Sequence, residues 1–383
     1  MTSDHPIPLG LYIHLPWCIR KCPYCDFNSH ALRERLPEEA YVDALLADLD
    51  QDLESAFARP LASIFNGGGT PSLFSPAALE RLLHGISGRL SWQEGIEITL
   101  EANPGTVESA KFKAFRALGI NRLSLGVQSF QDDKLKLLGR IHSAEEAINA
   151  VEIARQAGFA NLNLDLMFGL PGQTLSDALF DLNTAVSLHP DHLSWYQLTL
   201  EPNTLFAKYP PSLPEDEQIW QIQQAGQEKL AEAGFLRYEI SAYARAGKRC
   251  RHNLNYWRFG DYLGIGAGAH GKVTDPTTST IRRYWKIRHP AHYLEKATGP
   301  TRLGGQQLVA EEEKPLEFLM NALRLREGFT PIQFESRTGL DFQIIAAKIE
   351  ELLADDLLVR NGTAICCSER GWNLLDSILS RFA

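Results

Sequence analysis

Along the first two hundred residues, short apolar runs alternate with longer stretches whose apolar positions recur every three or four residues. The runs are GLYIHLP (10–16), SIFNGG (63–68), EITLEA (97–102), RLSLGVQS (122–129), NLNLDLMFG (161–169) and HLSWYQLTL (192–200), all of strand length. Between them, residues 37–57, 76–88, 108–118, 143–157 and 175–188 read as amphipathic helices. Their starts carry entry signals: Pro37 before two glutamates, Ser75-Pro76, and Ser143 with Glu146 three residues on. This alternation predicts an α/β fold built of βα units around a parallel sheet. Six units of about 30–35 residues predict an open, partial (β/α)6 barrel.

In such a barrel, reactive residues gather at the C-terminal strand ends. Cys18, Gly67 to Thr70, Glu101, Gln128 and Asp165 all fall at or near those ends. Singly each is an ordinary strand-to-loop transition; on one rim together they mark a site.

The pattern changes after residue 200. Pro202, Pro210, Pro211 and Pro214 mark a loop, followed by a helix at 215–233 and a strand, RYEISAYA, at 237–244. Residues 245–300 read as irregular and rich in aromatics, glycine and histidine, and a linker is expected around 297–310. Helices at 313–326, 331–337 and 341–354 then precede a hairpin turning at Asn361-Gly362, and a last helix at 369–381. Three helices and a hairpin predict a winged-helix-like α+β unit. The chain divides into a barrel core (1–205), an extension (206–300) and this C-terminal unit (301–383).

Charge narrows the function classes. The 383 residues carry a net charge of −9, which argues against a nucleic-acid partner because phosphate neutralisation needs a basic face. Residues 309–383 hold 8 Lys/Arg against 13 Asp/Glu, so the terminal unit is not expected to bind DNA. No run approaches the roughly 18–20 apolar residues of a membrane span. The N-terminal MTSDHPIPLGLYIHLPW lacks a basic segment followed by an apolar one, so a cytoplasmic location is expected.

Of six cysteines, three crowd into Cys18-Ile-Arg-Lys-Cys22-Pro-Tyr-Cys25. That clustering points to a metal or redox site rather than a disulfide scaffold. Structural zinc wants four protein ligands, with His14, Asp26 or His30 as the candidates for the fourth. Three thiolates suit an iron–sulfur cube better, because one iron stays open.

Cys-x3-Cys-x2-Cys with Tyr24 before the third cysteine, followed by GGGTPS at 67–72, resembles the radical S-adenosylmethionine superfamily. A narrower resemblance is to the coproporphyrinogen dehydrogenase (HemN-like) group, and within it to the HemW-type heme chaperones. It rests on YIHLPWCIRKCPYCDFNSH (12–30), EANPG (101–105), SLGVQSF (124–130), LGRIH (138–142), NLDLMFGLPGQT (163–174), SWYQLTLEPNT (194–204) and HNLNYWRFGDYLGIGAGAHG (252–271). The resemblance implies a [4Fe–4S] cluster on Cys18, Cys22 and Cys25. It implies S-adenosyl-L-methionine contacts from Tyr12, Tyr24, Gly68, Gly69 and Thr70, and from Glu101, Gln128, Arg140 and Asp165. Through HNxxYW it implies heme as a further ligand, with His252 the axial donor, Tyr256 and Trp257 for ring packing, and Cys250 a competing thiolate. The implied partners are apo-hemoproteins such as respiratory enzymes; peripheral membrane contact and a homodimer stay open.

Two departures set the chain apart from the dehydrogenases. Those enzymes carry a fourth cysteine where Phe27 stands here, and a longer N-terminal arm than the 17 residues before Cys18. Both agree with the chaperones and disfavour oxidative decarboxylation of coproporphyrinogen III, the alternative function. Gly266 to Gly271 fit a dinucleotide-binding glycine pattern but lead into KVTDPTTST, which is no helix start, so the match carries little. Cys366, Cys367, His289 and His292 read as packing or surface residues.

Overall fold

The computed structural model describes residues 7–106 and 109–382. The first six residues of the segment expected to lack a leader, and the first residue of the 108–118 helix, lie outside the described residues.

Strands β1 (Leu9–Leu15), β2 (Leu61–Gly68), β3 (Trp92–Ala102), β4 (Arg122–Gln128), β5 (Leu162–Phe168) and β6 (His192–Gln197) pair in chain order, all parallel. Their alternation explains why these segments form strands. Leu9, Leu11 and Ile13 of β1, and Leu162, Leu164 and Leu166 of β5, belong to the apolar core shared with the helices. The intervening Gly10, Tyr12 and His14, like Asn163 and Asp165, point to the opposite, concave face. Helices α1 (Glu38–Asp50), α2 (Pro76–Ser87), α3 (Ser109–Ala117), α4 (Ala144–Gln156) and α5 (Leu175–Ser187) form the crossovers, as predicted. Capping boxes, Ser143 with Glu146 and Thr174 with Asp177, start α4 and α5.

The second half corrects the sequence reading. After α6 (Asp216–Glu232), the predicted strand 237–244 is a hairpin of β7 (Leu236–Arg237) and β8 (Ala242–Ala244). Its turn forms because Ser241 donates from both N–H and Oγ to Glu239 Oε1. Residues 245–300 are not irregular. They hold α7 (Arg251–Trp257), β9 (Asp261–Ile265), β10 (His270–Thr274), β11 (Ile281–Lys286) and α8 (Pro290–Lys296). β9 runs parallel to β1 on the side away from β2, and β10, β11 and β12 (Leu303–Leu308) follow antiparallel. The result is one twelve-stranded sheet in the order 12-11-10-9-1-2-3-4-5-6-8-7. β12 occupies part of the expected linker, so residues 303–308 pair into the sheet.

A buried charge cluster fastens this extension to α1. Lys286 pairs with Asp48 and, at 2.6 Å, with Asp52, while Arg302 reaches Asp48 at 2.8 Å and Asp52 at 2.5 Å.

The terminal unit consists of α9 (Lys314–Ala322), α10 (Pro331–Thr338), α11 (Gln343–Ala354) and the hairpin of β13 (Leu358–Asn361) and β14 (Ala364–Cys367). Phe329 bridges to Ile365 at the hairpin's edge, giving the expected winged-helix-like arrangement. The last predicted helix breaks at Leu374 into Glu369–Asn373 and Leu375–Leu379. Phe318, Phe334 and Trp372 centre a core that also takes in Phe259 and Ile281 from the sheet region. Cys366 and Cys367 are buried in or beside it, as packing residues.

Candidate functional site

The loop carrying the three cysteines leaves the C-terminal end of β1. Its base is pinned where Trp17–Cys18 pairs with His30–Ala31. Within it Cys25 N–H donates to the Cys22 carbonyl at 3.2 Å. From outside, Asn28 Nδ2 donates to the carbonyls of Ala267 and Arg288, both at 2.8 Å. Gly268 sits so close to Asn28 that a Cβ there would come within 2.4 Å of it. The glycines at 266–271 therefore serve close packing of the cysteine loop.

All three cysteines line one cavity of about 260 Å³ at the rim. Gly68, Gly69 and Thr70 from the end of β2 line it too, as do Glu101 from β3 and Gln128 from β4. Asp165, Arg140 and Tyr24 complete the expected set there. Tyr12 alone stands off, in a neighbouring cavity that shares Gly68 and Glu101. Among the described residues, no three His, Cys, Asp or Glu side chains are drawn together around a single ion point. His14 and His30, considered as a fourth zinc ligand, are both tied to Asn28, through its carbonyl and its Oδ1 respectively.

Local chemistry fits each residue to a charged guest. Burial pushes the Cys18 and Cys25 thiols up, with hydrogen bonds from Thr70 and Ser29 pulling back. Arg140 lies 3.6 Å from Cys22 Sγ through Nη1 and donates from Nη2 to the Gly126 carbonyl at 2.6 Å. Its Nε is buried without a hydrogen-bond partner among the described residues. Glu101 accepts from Gly68 N–H at 3.1 Å. Burial, reinforced by Asp165, raises its pKa to about 7. Burial likewise raises Asp165, which accepts from Asn163 at 2.7 Å and Ser124 at 3.1 Å. Neither carboxylate has an ion-pair partner among the described residues, so two acids and an under-used guanidinium face one chamber. A zwitterion with an extra cationic centre and hydroxyls would satisfy them, which is the make-up of S-adenosylmethionine.

The glycine turn is sterically required. Gly68 has φ +113°, and a Cβ on it would lie 2.5 Å from the His14 ring; one on Gly69 would lie 2.6 Å from the Trp17 carbonyl. Gln128 also adopts a left-handed φ of +73° and accepts from the Tyr196 hydroxyl at 2.8 Å.

Sequence reasoning missed Tyr196, which lines the chamber, and Ser124 and Asn163, which orient Asp165. The alternation of NLNLDL was their signal: it puts Asn163 on the face that carries Asp165.

His252, the expected axial donor, sits apart from the cysteine chamber. It lies far below the rim, beneath Gly10, Ser63 and Glu97 near the N-terminal strand ends, and is 1% exposed. Its Nδ1 bonds Ser63 Oγ and its Nε2 bonds the Tyr256 hydroxyl, both at 2.8 Å, while Phe65 stacks on the ring. Burial lowers its pKa to about 3. The HNLNYW segment lies in α7, which packs against β1, β2 and β9, and both imidazole nitrogens of His252 are hydrogen-bonded in this structure. Cys250 is buried as well.

The radical SAM superfamily profile matches residues 12–184, and the HemN C-terminal domain profile matches residues 309–374. The chain is 50% identical to the heme chaperone HemW of Haemophilus influenzae and 50% identical to that of Escherichia coli, in each case over 98% of both chains. The structure of coproporphyrinogen III oxidase (HemN) from Escherichia coli, described as a radical SAM enzyme, superposes with TM-score 0.83 at 25% identity, covering 100% of this chain and 91% of that one. The chain belongs to the HemW family of the radical SAM superfamily.

Proposed function

We propose that this protein is a heme chaperone, which binds a [4Fe–4S] cluster, S-adenosylmethionine and heme and passes heme to apo-hemoproteins such as respiratory enzymes. The observation that carries this reading is the 50% identity, over 98% of both chains, to two heme chaperones. Cys18, Cys22 and Cys25 hold the cluster, and their shared cavity supports that role. When bound, such a cluster supplies an electron and one open iron for the amino and carboxylate groups of S-adenosylmethionine. Arg140 then pairs with the carboxylate, and Glu101 and Asp165 accept from the ammonium or ribose hydroxyls. Gly68, Gly69 and Thr70 let the backbone approach, Gln128 holds Tyr196 at the wall, and Tyr12 and Tyr24 supply flanking rings.

Anaerobic reconstitution followed by heme titration, with and without S-adenosylmethionine, tests the reading; a chain that takes up no heme overturns it. Cys22→Ala is expected to lose cluster iron and acid-labile sulfide together, and retention of both at the wild-type level would show the ligand assignment wrong.

The whole-chain superposition on HemN favours one rival, oxidative decarboxylation of coproporphyrinogen III. Vinyl products from coproporphyrinogen with dithionite and S-adenosylmethionine would establish it. Among the described residues no helix is long and apolar enough to cross a membrane. Delivery in the cytoplasm, to soluble recipients or at the face of a membrane, accords with that, and sedimentation with and without heme decides between monomer and homodimer.

A further inference from the structure

The outer side of the cysteine loop borders a groove of about 760 Å³, closed on its far side by the start of α8. Ser29 is shared between groove and chamber. It is 4% exposed, lines both, and its Oγ lies 3.6 Å from Cys25 Sγ. A single side chain thus separates the groove from a cluster ligand. The floor of the groove is apolar and aromatic: Trp17, Leu32, Pro290 and Leu294 line it, and the rings of His30 and His289 meet edge-on with centroids 5.9 Å apart. Its border is basic, with Lys21, Arg33 and Arg35 against one anion, Glu34. All four are exposed, and neither arginine makes an ion pair among the described residues. Arg288, next in the chain to His289, is exposed and without an ion pair there as well. In a chain of net charge −9, this local excess of cations runs against the average.

We propose that this groove is the docking face for a small acidic one-electron carrier protein, which reduces the cluster across Ser29 and Cys25. An apolar centre inside a charged border is the make-up of a protein interface. Unpaired cations on that border steer an acidic partner in and act over a distance, so the complex forms fast and parts fast. Redox encounters of this kind are small, burying less than about 1,200 Å². The inner side of the loop faces the chamber that S-adenosylmethionine fills, which leaves the outer side for the electron. The carrier is oxidised by one electron and the cluster reduced by one; no bond forms or breaks. The inference rests on the cluster assignment and adds the kind of partner that serves it.

The test is anaerobic stopped-flow reduction of the reconstituted full chain by a prereduced, acidic plant-type [2Fe–2S] ferredoxin, followed through bleaching of the cluster absorption. Two groove variants are compared with wild type: Arg33→Glu with Arg35→Glu, and Ala291→Trp, whose site is exposed on α8 and lines the groove. Lys113→Glu (α3) with Lys348→Glu (α11) is a control of equal charge change on helices that do not line it. The double arginine reversal is expected to slow the bimolecular step at least about tenfold at low ionic strength, with the gap closing as salt is added. Ala291→Trp fills the groove without charge and is expected to slow the step several-fold at every salt concentration. Cluster content and the final extent of reduction by dithionite are expected to match wild type throughout. Wild-type rates in both groove variants, or an equal loss in the control, overturn the docking face and leave the cluster assignment standing. Wild-type protein that assembles no cluster removes both. Co-sedimentation with phosphatidylglycerol vesicles tests the rival, a membrane-facing patch: arginine reversal that abolishes vesicle binding and leaves ferredoxin reduction unchanged would overturn the carrier.

Discussion

Glu101 shows how one buried side chain sets a pH response. Its folded pKa of about 7 lies above the ordinary 4.5, so between those values the folded chain holds a proton that the unfolded chain has released. Stability without ligand therefore falls as pH rises through that window, by roughly 3 kcal/mol, and levels off above it. Glu101→Gln is expected to flatten the dependence of the thermal midpoint on pH. Only the ionised carboxylate attracts a cationic guest, so equilibrium dialysis should show S-adenosylmethionine binding tightening above pH 7 in wild type and not in the variant. Gly68→Ala fails for a different reason, backbone strain at φ +113° plus contact with His14, and is expected to cost about 2 kcal/mol or more in denaturant unfolding. Residues of this kind were legible in the sequence because their chemistry is rare: clustered cysteines, a triple glycine and acids at strand ends. The depth of His252 was not legible, because a motif gives a residue's identity and not its burial; its two ring nitrogens are hydrogen-bonded to Ser63 and Tyr256 inside the barrel.

At the scale of elements, the six parallel strands were readable because each is a short apolar run bounded by turns and followed by an amphipathic helix. The four strands added beyond residue 260 were not, and the reason is charge burial. Lys272 of β10 is buried against Asp261, and Lys286 of β11 against Asp48 and Asp52, so positions that are interior read as polar. β12, LGGQQL, is an edge strand that offers little apolar signal. Because its partners cannot leave the interior, Lys286→Met would strand two carboxylates beside Arg302. We expect a loss of about 3–5 kcal/mol in urea unfolding. A loss below 1 kcal/mol would mean that the cluster is solvated.

At the scale of the whole molecule, two cores meet along one seam. The terminal unit surrounds Phe318, whose ring lies 5.6 Å from Phe259 of the sheet region and 5.1 Å from Phe329 of its own. Phe318→Ala is expected to cost about 3–5 kcal/mol and to split the calorimetric transition, with the terminal unit melting first. A single transition shifted as a whole would show that the seam holds without that ring. β12 escaped notice in the sequence because a polar edge strand looks like a linker.

Phe27, Gly68 and Glu101 are party walls, each facing two chambers at once. Any molecule that repositions this partition from one side alters the other room, and thermodynamic reciprocity then binds both tenants to the same factor. Measuring how much the first arrival changes the dissociation constant of the second, in either order of loading, must return one number.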